Sequence, residues 1–97
     1  MDVVRGRARV DDNHRFIRTV LRELGCVVED LSDVGRGMSD LLVKTPGGTV
    51  LLVEVKNPDQ PPSKRRLTPD ETKVALRWGA SYVVVETEPQ ARAVAKR

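Results

Sequence analysis

Asp40, Glu54 and Lys56 are the residues whose types and spacing best fit chemistry in this chain. They stand in the stretch GMSDLLVKTPGGTVLLVEVKNP, residues 37–58. Two carboxylates brought together beside an ammonium group suit a hard divalent cation. Magnesium commonly takes one or two carboxylates and keeps several waters. A cation held this way lowers the pKa of a bound water and stabilises charge on a phosphoryl oxygen. A lysine nearby can orient or deprotonate the attacking water, or stabilise the developing negative charge. The main-chain carbonyl of Val55 is a candidate third ligand.

The same stretch is the strongest strand signal in the chain: DLLVK (40–44) and TVLLVEVK (49–56) around a TPGG turn. If Pro46, Gly47 and Gly48 form a three-residue loop, Thr45 faces Thr49, Leu42 faces Leu52, and Asp40 faces Glu54. Lys56 then lies two residues further along the same face, about 7 Å away. Leu41, Val43, Leu51, Val53 and Val55 make up one face, and Leu42, Val50 and Leu52 the other. Apolar neighbours on both sides make unpaired charge expensive, so something positive belongs between the acids. A loop of two or four residues instead separates the acids onto opposite faces. Asp40 would then cap the strand, and Glu54 and Lys56 would be a solvated stripe on an edge strand.

The surrounding elements follow from periodicity. Phe16, Ile17, Val20, Leu21 and Leu24 recur at helical spacing over 11–25, with Asp11 or Asp12 as cap and Gly25 as stop. CVVEDL (26–31) reads as a first strand and SDVGRG (32–37) as a glycine loop. NPDQPPSKRR (57–66) carries three prolines and reads as a loop ending in a basic run. Thr68 and Glu71 form a capping-box pattern around Pro69, opening a helix over 69–78 that stops at Gly79. SYVVVE (81–86) is a fourth strand, and EPQARAVAK (88–96) a last helix. The order α-β-β-β-α-β-α predicts a single α/β domain. Residues 1–10, with Arg5, Arg7 and Arg9, read as a basic arm.

At 97 residues the chain has room for one domain. Its core must come from Val, Leu, Ile and Ala, since only 3 % of residues are aromatic. A formal charge of +3 fits a polyanion partner without demanding one. A single cysteine, Cys26, excludes an internal disulfide and reads as a buried thiol. No Cys/His cluster suggests zinc, and no apolar run is long enough for a signal core or a membrane span. The expected compartment is a reducing cytoplasm.

The pattern Ser39-Asp40, then Glu54-Val55-Lys56, resembles the PD-(D/E)XK nuclease superfamily. More narrowly, the chain is similar to small phage-type proteins of its virus-type replication-repair nuclease (VRR-NUC) and Holliday junction resolvase branch. The matching pieces run in order: DDNH, FIRTVLRELG, VGRGMSDLLV, LLVEVK, PPSKRRLTPDE and the final strand–helix pair, roughly residues 11–94. The resemblance implies a restriction-endonuclease-like core, with a mixed four-stranded sheet flanked by helices. It implies that Asp40 and Glu54 bind metal and that Lys56 is catalytic. Three positions depart from the pattern. Ser39 replaces a frequent proline, Glu71 a usual glutamine, and His14 a glutamine. Glu71 either adds charge to the site or only caps its helix. Asn13 and His14 are candidates to support the site from the first helix.

Ser63, Lys64, Arg65 and Arg66 follow the Lys56 strand and are candidate phosphate contacts, with Arg36 as a second group. The bland alternative is a solvated loop. Few aromatics and no base-reading pattern imply recognition of backbone and shape. The expected function is a magnesium-dependent DNA endonuclease, with manganese as a substitute metal. Its expected substrate is branched DNA such as a Holliday junction, cut by a homodimer, and its site is the host cytoplasm if phage-encoded. Helix 69–78 with Trp78, and the last strand, are candidate dimer surfaces, although Trp78 fits a core equally well. The alternative is a non-catalytic or partner-dependent DNA-binding protein that keeps the fold.

Overall fold

The computed structural model describes the backbone of residues 2–97 and the side chains of residues 12–97. Helix α1 spans Asp2–Glu23, followed by strands β1 (Val27–Asp30), β2 (Leu41–Lys44) and β3 (Val50–Val55). A single turn, α2 (Pro62–Arg65), precedes helix α3 (Pro69–Trp78). A short 3-10 turn then leads to β4 (Tyr82–Val85) and α4 (Glu88–Ala95). The four strands form one mixed sheet in the order β1-β2-β3-β4, antiparallel except for the parallel β3–β4 pair.

The hairpin register is the one that a three-residue turn requires. Leu41 pairs with Val53 and Leu42 with Leu52. The Thr45 N–H donates to Thr49 O at 2.8 Å, and Gly48 takes φ +94°. Only glycine adopts that conformation without strain, so Gly48 fixes the loop length and the register beyond it.

Alternation along the strands sends Leu41, Val43, Leu51 and Val53 to one face. There they pack with Ile17, Val20 and Leu21 of α1, Val85 of β4, and Ala91 and Val94 of α4. Cys26 joins this core, and burial pushes its thiol pKa up. The opposite face carries Leu42, Leu52, Glu54, Tyr82 and Val84, with α3 beside β4 and its Val74 buried.

Three details differ from the sequence reading. Helix α1 begins at Asp2, not at a cap on Asp11 or Asp12. Residues 2–10 contain no proline, and the lone Gly6 weakens a helix by only about 1 kcal/mol. The side chains of Arg5, Arg7 and Arg9 lie outside the described residues. Phe16 is 46 % exposed, because the buried stripe of α1 centres on Ile17, Val20 and Leu21. The proline-rich segment contains α2, with Pro61 as its cap and Pro62 in its first turn. Proline costs nothing there, because that N–H has no helical partner to lose.

The helix ends follow their sequence signals. The Cys26 N–H donates to Leu21 O at 3.0 Å and the Gly25 N–H to Arg22 O at 3.0 Å, closing α1 in a Schellman motif. At α3 the Thr68–Glu71 capping box is formed in both directions. Gly37 brings the β1–β2 loop onto the start of α3. A Cβ there would stand 2.4 Å from the Asp70 carbonyl carbon.

Candidate active site

Asp40 stands one residue before β2 and Glu54 near the end of β3, so the register sets them opposite each other. One oxygen of Asp40, Oδ2, accepts a 2.8 Å hydrogen bond from the Val55 N–H, which fixes the carboxylate against β3. Glu54 is only 4 % exposed. Its Oε2 lies 3.4 Å from Lys56 Nζ, while its Oε1 is buried with no hydrogen-bond partner. Lys56 Nζ also donates to Glu71 Oε1 at 3.0 Å.

The proton balance follows from this crowding. Burial, then the charges of Asp40 and Glu71, push the Glu54 pKa up to about 8. Burial also raises Asp40, against the pull of the Val55 N–H, His14 and Lys56. Burial alone would lower Lys56, but its hydrogen bond to Glu71 and the carboxylates of Glu54 and Glu71 carry it above the ordinary lysine value. Glu71 moves down despite burial, because the Thr68 N–H, Lys56 and Glu54 all favour its ionised form. The site therefore holds more carboxylate than its lysine neutralises.

The donor set fits a hard cation. A buried carboxylate oxygen without a partner is costly unless something positive meets it, and Glu54 Oε1 is such an atom. Asp40 stands opposite, and hard cations prefer oxygen. Among the described residues no group of three or more His, Cys, Asp or Glu side chains is placed to hold a metal ion. A cation held by Asp40 and Glu54 would draw its remaining ligands from main-chain oxygen and water, as magnesium commonly does.

The supporting residues are drawn from every layer. Asn13 Nδ2 donates to Lys56 O at 2.6 Å and to Glu86 O at 3.2 Å, tying α1 to the ends of β3 and β4. His14 borders the cleft beside Asp40, and its Nε2 is buried with no hydrogen-bond partner. Glu71 Oε1 also accepts from the Thr68 N–H at 2.9 Å, so the residue that caps α3 also holds Lys56.

The basic candidates divide. Lys64 lines a cleft of about 390 Å³ together with Asp40, Glu54, Val55, Lys56, Asn57 and Gln60. Arg65 turns away from it to pair with Glu86 at 3.6 Å. Ser63 and Arg66 are exposed on and after α2, and Arg36 is exposed in the β1–β2 loop at φ +60°. A second cleft of about 350 Å³ opens on the other side of Asp40 and Val55, lined by His14, Arg15, Arg18, Asp30 and Ser32.

Tyr82 is a neighbour that sequence reasoning missed. Its hydroxyl is buried without a partner, and burial with the charges of Glu54, Glu71 and Asp40 pushes its pKa up. The signal was present in the alternation of YVVV, but its face became readable only once β4 paired in parallel with β3, setting Tyr82 opposite Leu52.

No family model and no curated protein matches the chain. A solved structure described as a VRR_NUC domain does, with a TM-score of 0.67 and 28 % sequence identity. The match covers 92 % of this chain and 96 % of that one. The chain thus has the α/β fold of a nuclease-type domain, and within that class it resembles the VRR-NUC branch of the PD-(D/E)XK nucleases.

Proposed function

We propose that the chain is a metal-dependent DNA endonuclease that hydrolyses phosphodiester bonds, with a preference for branched DNA such as Holliday junctions. The observation that carries this reading is the buried, unpartnered Oε1 of Glu54 facing Asp40, with Lys56 on the same face. Asp40, Glu54 and the Val55 carbonyl would hold magnesium, with manganese as a substitute. The bound cation would supply an acidified water and charge stabilisation at a phosphoryl oxygen.

The chain's own residues do the rest. The Val55 N–H keeps Asp40 aimed at the site. Asn13 pins the backbone at Lys56, so that its side chain starts from a fixed point. Lys56 Nζ donates a proton-bearing contact to the attacking water or to the phosphoryl oxygen as negative charge develops there. Attack by water breaks the bond to the 3′ oxygen and leaves a 5′-phosphate, as the resemblance implies. Lys64, on the cleft wall, contacts a backbone phosphate, and Ser63 and Arg66 beside it in the chain, with Arg36 exposed in the β1–β2 loop, extend the contact. Symmetric cutting of two strands calls for a homodimer. Exposed Leu76 and Trp78 on α3, and Val84 on the edge strand β4, support one. Among the described residues no helix is long and apolar enough to cross a membrane.

The test is cleavage of labelled four-way junction, flap, single-stranded and linear duplex DNA with magnesium or manganese, beside Glu54→Ala. Metal-dependent cutting lost in the variant supports the reading, and the preferred substrate defines the role. One observation favours a second reading, a non-catalytic or partner-dependent DNA-binding protein. Glu71 adds a third carboxylate and holds Lys56 Nζ. Equal DNA binding by wild type and Glu54→Ala, with no cutting of any substrate, would establish it.

A further inference from the structure

The sequence reading selected Ser63, Lys64, Arg65 and Arg66, with Arg36 as a second group, and passed over Arg15, Arg18 and Arg22. The two clefts share Asp40 and Val55 as a common wall, so the site opens in both directions. A strand lying across Asp40 and Glu54 must leave on both sides. One exit passes Asn57, Gln60 and Lys64. The other passes His14, Arg15 and Arg18 of α1.

Arg15 and Arg18 are three residues apart on α1, and Arg22 follows four later, so all three share one helical stripe. That stripe is about 10 Å long at the helical rise per residue. It runs beside β1: Arg18 Nη1 pairs with Asp30 Oδ2 at 2.7 Å, and Arg22 Nη2 donates to Val28 O at 2.9 Å. Neither pairing uses up its guanidinium, which carries five N–H donors. Among the described residues Arg15 pairs with Asp12, and its side chain is 62 % exposed.

We infer that the α1–β1 seam, through Arg15 and Arg18 with Arg22 at its far end, is the second half of a nucleic-acid track. It takes the internal phosphates of the strand on the side of the scissile bond opposite Lys64. The inference rests on the nuclease reading for the position of the strand. Asp30 is the counterweight in this seam: it holds Arg18, and its own carboxylate accepts from the Ser32 N–H and hydroxyl. A stripe that only buttresses the fold would need that pair. A stripe that binds phosphate would gain from its loss.

The test is fluorescence anisotropy of the full chain, without divalent metal, on a duplex lacking terminal phosphates. Affinity is followed across a series of salt concentrations for wild type, Arg15→Gln, Arg18→Gln, Lys64→Gln and Asp30→Asn. Each phosphate contact contributes about 0.9 to the slope of log affinity against log salt on duplex DNA. The expected result is a slope shallower by about 1 for each of the three basic variants. Tighter binding by Asp30→Asn is expected as well. If Arg18→Gln fails to fold, Arg15→Gln still decides, because its side chain is exposed and its described pairing is within the helix. A slope changed by Lys64→Gln but not by Arg15→Gln overturns the seam and leaves the nuclease reading intact. Absence of DNA binding by the wild type overturns both.

Discussion

The two faces of the central hairpin begin from the same strands and end in opposite states. Leu41, Val43, Leu51 and Val53 face α1 and α4, and none is more than 2 % exposed. One residue along, on the other face, Leu52 and Glu54 are buried while Val50 is 48 % and Val84 37 % exposed. The first face is closed, apolar and built for packing. The second is incompletely covered by α3, buries the Glu54 carboxylate, and half-buries Lys56 and Tyr82. Side chains alternate along a strand, so a single hairpin can be core on one side and chemistry on the other. The closed face also supplies the rigidity that keeps Asp40 and Glu54 opposed.

The largest contrast should appear on substitution within each face. On the site face, Glu54→Gln should lower cleavage by more than about 100-fold, the upper range for losing even an outer partner of a metal ligand. Its fold should survive, which circular dichroism would verify. On the core face, Leu51→Ala should cost about 2–5 kcal/mol of stability by urea unfolding, with activity falling only as the folded fraction falls. If Leu51→Ala instead left stability intact and removed activity, the division between the faces would be wrong.

Next in size is the pH dependence of the metal-free protein. Glu54 has a folded pKa of about 8 against an ordinary value of 4.5. The folded state therefore holds the proton more tightly, and stability is fully present below about 4.5 and lost as pH rises through about 8. The loss is on the order of a few kcal/mol. Thermal melts in chelator should show Glu54→Gln gaining on the wild type as pH rises across this window. Magnesium added at alkaline pH should raise the wild-type Tm and leave that of Glu54→Gln unchanged. A gap between the two proteins that does not vary with pH would disprove the burial of an ionisable Glu54.

A smaller effect is expected at Glu71→Gln. It removes one carboxylate from the site, and its amide oxygen can still accept from Thr68 and Lys56. Cleavage should change by about tenfold or less, because a lost charge-assisted bond is worth little more than 1.4 kcal/mol where a neutral one replaces it. Magnesium affinity, followed by the Tm shift, should fall with the lost charge. The smallest effect belongs to Leu76→Ser, at a position 77 % exposed. Stability of a monomer should stay within about 0.5 kcal/mol. Loss of a concentration-dependent Tm in this variant would mark α3 as a dimer surface.

Much of this arrangement was written locally in the chain. Pro46-Gly47-Gly48 offered a three-residue loop among its alternatives, and Gly48 at φ +94° is the local feature that selects it, and with it the opposition of Asp40 and Glu54. The Thr68–Glu71 capping box and the Gly25 stop marked helix ends through short-range hydrogen bonds. These features involve residues within a few positions of one another, so the sequence alone determines them. Burial of Glu54, and with it the raised pKa, depends on α3 and β4 arriving from later in the chain. The grip of Glu71 on Lys56, the face occupied by Tyr82, and the seam in which Arg18 meets Asp30 are likewise long-range. Each needs elements whose mutual position is fixed by apolar packing across the whole sheet, and that packing follows from summed contacts rather than from any local pattern.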